Sequence, residues 1–180
     1  YYTDLPDGEP DAVLAVCDTK DRGADYASMP VVAVYGQRHY LVDVVCDNSL
    51  PEIVEPRLAE CLVRNHVDRV RFESNAAGGR VADAVKDKCA ELGHYVDVSK
   101  KYSTENKETR ILVDSGWIKE NVYFPSDWQT PDMRRFMGML THYTVSGKNK
   151  HDDAPDSMSM YKRFAQSMRQ ASCTAVKRIM

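Results

Sequence analysis

The chain has 180 residues, with 24 Lys and Arg against 27 Asp and Glu, for a formal net charge of −3. Its 43% hydrophobic and 28% charged content is that of a globular domain with a sizeable core. It has no apolar run of membrane-spanning length and no signal-peptide pattern, and its charge balance excludes a generally basic binder while leaving room for local basic patches.

Five cysteines (Cys17, Cys46, Cys61, Cys89 and Cys173) form no CxxC pair and are odd in number. That excludes a disulfide framework and a zinc ribbon. Their apolar settings read as buried thiols of a reducing, cytosolic compartment. The chain opens on Tyr1 rather than Met, so it is expected to be a piece excised from a longer protein.

Residues 1–11, rich in Pro, Asp and Gly, read as a linker, residues 12–170 as one domain and 171–180 as a tail. AVLAVCD (12–18) is a buried strand ending in an acid. PVVAVYG (30–36) and HYLVDVVCD (39–47) are β-branched runs separated by a turn next to Gly36, which predicts a hairpin and hence a three-strand meander. The period then changes. LPEIVEPRLAECLVRNHV carries helical spacing behind Pro51. VRFES (70–74) is a strand ending in Glu73, and GGRVADAVKDKCAEL (78–92) is a helix stopped by Gly93. HYVDVSKK is a strand. TENKETRILVDSGWIKE is a helix with a capping-box-like Thr104–Lys107 start and an inner face of Ile111 and Ile118. VYFP is a short extended piece, TPDMRRFMGMLTHY a helix capped by Thr130, and DAPDSMSMYKRFAQSM the last helix, burying Met158, Tyr161, Ala165 and Met168. Three strands followed by strand–helix alternation predict an α/β domain with a mixed sheet.

Asp18 and Glu73 each close an apolar strand. An acid there either runs out into solvent or faces a ligand, because sites in open α/β sheets lie at the carboxyl ends of strands. KHDDAPDS (150–157) gathers Asp152, Asp153 and Asp156 where a helix begins. Helix capping accounts for such acids, and so does a cation site. Several carboxylates share a small space only if cations neutralise them. An all-oxygen donor set selects Mg²⁺ or Mn²⁺ over zinc.

Together, Asp18 with the following TKDRGADY, RFESNAAGGR, STENKETRI and SGKNKHDDAPDSM resemble the nuclease domain of large terminase subunits, the DNA-packaging motors of tailed bacteriophages. The resemblance spans nearly the whole chain in order. It implies a ribonuclease H-like fold and metal-dependent cutting of concatemeric double-stranded DNA with two Mg²⁺ or Mn²⁺ ions. It implies that Asp18 and Glu73 are metal ligands, that Asp152 or, by slight preference, Asp153 is the third, and that Asp25 is a further acid. It leaves His151 as a phosphate contact or proton carrier, or as a solvated loop residue, and Asp156 as part of the helix cap. It also implies an N-terminal ATPase domain in the full-length protein, a portal and a small terminase subunit as partners, no membrane, and the host cytoplasm as location. No GxxxxGK[ST] occurs, so this piece is not expected to hydrolyse ATP.

The expected DNA contacts are Arg80, Lys100, Lys101, Lys107, Arg110, Lys148 and Lys150, with Arg22 and the Asn75–Gly79 loop nearby, and Lys101, Lys107 and Arg110 acting as a group. Each has solvated charge as its ordinary alternative. Trp117 and Trp128 read as core packing rather than base stacking. Other readings are a junction-resolving nuclease or transposase, a sugar-kinase or actin-like ATPase, and a non-catalytic module docking DNA or a portal. The ATPase reading is weak because TKDRGADY has a single glycine, and the docking module has no use for the apposed acids.

Overall fold

A computed structural model describes residues 1–19, 26–74, 78–145, 147 and 149–177, with the side chains of Gly78 and 169–177 not described. Its elements run β1 (Ala12–Cys17), β2 (Ala27–Tyr35), β3 (Arg38–Asp47), α1 (Pro51–Arg64), β4 (Arg69–Glu73), α2 (Gly78–Glu91), β5 (Asp97–Lys101), α3 (Lys107–Asn121), β6 (Val122–Tyr123), α4 (Pro131–His142) and α5 (Asp153–Lys177).

The strands form one six-stranded sheet in the order β5-β4-β1-β2-β3-β6. β1, β2 and β3 are the expected antiparallel meander; β4 joins β1, β5 joins β4 and β6 joins β3 in parallel. Gly36 adopts φ 62° in the two-residue turn that pairs Tyr35 with Arg38, a conformation that suits glycine. Gly93, at φ 78°, ends α2 as expected.

Strand alternation divides the core. Ala15, Cys17, Val70 and Phe72 pack with Leu58, Leu62, Val85 and Cys89 of α1 and α2. Leu14, Val16, Leu41 and Val44 pack with Ile118 of α3, Phe136 of α4, and Met158 and Tyr161 of α5. Trp117 and Trp128 lie against this second core, as expected. Side chains of successive residues alternate faces, so Asp18 and Glu73 leave the sheet on the α3–α5 side.

Two local expectations change. The cap of α3 is Asn106, whose side chain accepts from Thr109 N–H at 3.1 Å, rather than the Thr104 region: the helix begins two residues later than a Thr104 box requires. The chain start is held to the sheet edge, with Tyr2 Oη donating to Leu41 O at 2.7 Å and Tyr2 bridged to Pro125.

Candidate metal centre

β1 and β4 run side by side in parallel, with Cys17 opposite Phe72. The next residues, Asp18 and Glu73, therefore emerge together at the carboxyl end of the sheet. Asp18 is fixed by backbone bonds in both directions with Ser28 of β2, at 2.9 and 3.0 Å. Ser28 Oγ in turn lies 2.9 Å from Ser157 Oγ, which seats the first turns of α5 over the same strand ends.

That seating brings in Asp156. Carboxylate oxygens of Asp18, Glu73 and Asp156 lie within 4.8 Å of one another, and all three residues are buried. The sequence reading gave the third place to Asp152 or Asp153 and Asp156 to the helix cap; the structure brings Asp156, not those two, to Asp18 and Glu73. The Asp156 N–H already bonds Asp152 O at 2.9 Å, so the residue is inside the helix and its carboxylate serves no terminal amide. Asp153 is buried one turn earlier, with Oδ2 4.0 Å from His151 Nδ1, and Asp152 stands at the rim with 37% of its side chain exposed. His151 rests edge-on against Tyr26, with ring centroids 5.2 Å apart. Asp25, Lys148, Arg22 and residues 75–77 lie outside the described residues.

Two cations of α3 face the acids. Arg110, 3% exposed, points Nε at Asp156 Oδ1 (2.8 Å), with Nη1 3.8 Å from Glu73 Oε1. It is thus a partner of the acids, not the exposed DNA contact expected of it, because α3 turns Arg110, Ile111 and Asp114 to the same buried side. Asp114 is paired with Lys162 and Arg163 of α5, at 2.8 Å each, which locks α3 onto α5. Lys107 Nζ reaches Asp156 at 3.1 Å, Asp18 at 3.4 Å and Asp152 at 3.9 Å.

Burial pushes the Asp18 carboxyl well above its ordinary range; Lys107 opposes this, and the neighbouring Asp156 and Glu73 add to it. Burial works against the charge of Lys107 too, but Asp18 and Asp156 outweigh it and raise its pKa. Three buried carboxylates pressed together with partial compensation form a donor set that fits a hard divalent cation.

Of the other expected DNA contacts, Lys100 pairs with Asp83 and Arg80 with Glu55, both at 2.6 Å, away from the acids. Lys101 and Lys150 are exposed. Arg71 of β4 carried no sequence expectation; its place two residues before Glu73 is the signal that puts it on the site's face.

The sequence model of the family described as Terminase Bacteriophage T7, Ribonuclease H-like domain matches residues 17–115. No curated protein sequence matches the chain. Among solved structures, the fold is similar to the human cytomegalovirus terminase nuclease domain, Mn soaked and inhibitor bound, at TM-score 0.59 and 12% identity, covering 82% of this chain and 80% of that one. It is similar to a mutant of the large terminase subunit from bacteriophage Sf6 with calcium, at TM-score 0.60 and 11% identity, covering 86% and 89%. It is also similar to the fowlpox virus Holliday junction resolvase, at TM-score 0.55 and 16% identity, covering 87% and 99%.

Proposed function

The chain belongs to the terminase bacteriophage T7 ribonuclease H-like family, and from that premise we propose that Asp18, Glu73 and Asp156 hold the divalent cations with which this metal-dependent nuclease cuts concatemeric double-stranded DNA. The observation that supports this most directly is the buried approach of three carboxylates, within 4.8 Å, at the ends of adjacent parallel strands.

Mg²⁺ or Mn²⁺ bound by Asp18, Glu73 and Asp156 would supply positive charge for phosphodiester hydrolysis and would make a bound water more acidic. Asp18, at the end of β1 beside Glu73 and facing Asp156 of α5, would be the central ligand of the set. Arg110 holds Asp156 in orientation through its buried ion pair. Lys107, 43% exposed, faces both the acids and the approach to the site, where it meets the incoming backbone phosphate. Lys101 and Lys150 extend that positive approach. His151, 4.0 Å from Asp153 Oδ2, would carry a proton at the rim.

In the full-length protein the domain works beside an N-terminal ATPase domain, with a portal and a small terminase subunit, in the host cytoplasm. Among the described residues no helix is long and apolar enough to cross a membrane.

The reading is tested by plasmid nicking with Mn²⁺, Mg²⁺ or EDTA, beside Asp18→Asn. Cutting that needs metal and vanishes in the variant supports it; cutting that persists in EDTA or in the variant overturns it. A junction-resolving nuclease would share the centre, so linear duplex and a four-way junction are compared, and strong preference for the junction would favour that alternative.

A further inference from the structure

Beside the three acids lies a second feature. A cavity of about 120 Å³ opens next to Glu73, between β4, the β5–α3 connection and α5, and Arg71, Lys101, Tyr102, Ser103 and Arg110 are among its walls. Arg71 precedes Glu73 by two residues on β4, so both side chains leave the same face of the sheet.

The cations of this cavity differ in their partners. Arg110 is paired with Asp156, and Arg163 with Asp114 and Glu105. Arg71 is half-buried over the Phe164 ring, 4.3 Å from its centroid, and its polar contacts are the hydroxyls of Ser99 and Ser167, at 3.4 Å each. Among the described residues no carboxylate pairs with it. A guanidinium in that position matches a phosphate, whose oxygens accept its forked N–H groups and supply the missing charge. Lys101 is exposed beside it, and Ser103 adds a hydroxyl. Tyr102, 66% exposed at the mouth, offers a ring face to a base. The space admits a phosphate group but not a base pair.

The spacing fits one strand of a nucleic acid. Arg71 and Glu73 are about 6.6 Å apart along β4, and successive phosphates of a DNA strand rise about 3.4 Å. We propose that this cavity is a phosphate subsite that takes the backbone phosphate one or two nucleotides from the cut bond, held by Arg71 and Lys101, with Tyr102 stacked on the adjoining base. The proposal rests on the nuclease reading and deepens it: the enzyme grips one strand of its substrate beside the metal centre, on the β5 side.

The test couples a substrate change to a protein change. The full chain is assayed with Mn²⁺ on a short duplex at a mapped cut. Single uncharged methylphosphonates stand one, two or five nucleotides away. Wild type is compared with Arg71→Met, which keeps a stem over Phe164, and with Arg71→Lys, which keeps the charge; thermal unfolding verifies that each folds. The subsite predicts that a methylphosphonate at one or two nucleotides slows wild type about tenfold and the one at five does not. It predicts that Arg71→Met cuts unmodified duplex about tenfold more slowly, mainly through KM, and loses the sensitivity to the modification, while Arg71→Lys keeps part of it. Tyr102→Ala raises KM on the unmodified duplex. Equal slowing of wild type and Arg71→Met, or no slowing of wild type at any position, overturns the subsite while leaving the nuclease intact. No cutting of unmodified duplex by wild type overturns the nuclease reading, and the subsite with it.

Discussion

Arg110 Nε lies 2.8 Å from Asp156 Oδ1, with the arginine 3% exposed and the aspartate fully buried. A buried pair of this kind is weak as a source of stability but costly to break from one side. Its value here is orientation: α3 holds a carboxylate of α5 against two carboxylates of the sheet.

Removing the arginine should therefore cost more than a surface charge would. Arg110→Met leaves Asp156 buried without its cation, and the expected loss is about 3 kcal/mol, read as a lower unfolding midpoint in urea in the presence of EDTA. Mn²⁺ should recover part of that loss by supplying the missing charge. A midpoint unchanged from wild type would mean that Asp156 draws its compensation elsewhere.

Asp18 gives the pH dependence. Its folded pKa is raised, by burial first and then by Asp156 and Glu73 against the pull of Lys107, while an unfolded aspartate titrates near 3.9. The folded chain thus holds this proton more tightly than the unfolded chain. The contribution is fully present below the unfolded value and is lost as pH rises through the folded one. In EDTA, the thermal midpoint of wild type should fall as pH climbs above the ordinary carboxylate range, relative to Asp18→Asn. Saturating Mn²⁺ should remove the difference in slope. Parallel profiles for the two proteins in EDTA would contradict the assignment.

Lys107 competes for the same oxygens as a cation does. Its ammonium lies 3.1 Å from Asp156 and 3.4 Å from Asp18. Lys107→Met should bind Mn²⁺ about tenfold more tightly by calorimetry, yet bind duplex DNA more weakly at low salt. Unchanged Mn²⁺ affinity would show that the lysine swings clear of the site at no cost.

The thiols report on the core. Cys17, Cys46, Cys61 and Cys89 are all buried and unpaired in disulfides, and burial pushes Cys46 up to about 12 and Cys89 to about 11. These four should react with a thiol reagent at neutral pH only after unfolding, at least a hundredfold faster in denaturant on an order-of-magnitude scale. Rapid native labelling of any of them, located by mass spectrometry, would count against the packing described.

Much of this was legible in the sequence. Most strands and helices followed from their period, though β6 was read only as an extended piece and α3 begins later than its Thr104 start, and the parallel pairing of β1 with β4 was the condition on which the Asp18–Glu73 apposition was drawn. The choice among Asp152, Asp153 and Asp156 was not, because residues three apart on a helix share a side but differ by a turn along its axis, and which turn meets the sheet depends on the Ser28–Ser157 contact between distant segments. Arg110 was misplaced for a different reason. Ile111 and Ile118 marked the buried face of α3, and Arg110 and Asp114 lie on it, but a charged residue beside an isoleucine is ordinarily solvated. Only the partners on β4 and α5 make its burial tolerable.

The most direct measurement is a calorimetric Mn²⁺ titration of wild type, Asp156→Asn and Asp153→Asn, each paired with plasmid nicking. The account predicts that wild type binds and cuts, that Asp156→Asn loses both, and that Asp153→Asn is impaired far less. Metal binding and cutting that survive in Asp156→Asn but fail in Asp153→Asn would contradict the centre assembled from Asp18, Glu73 and Asp156.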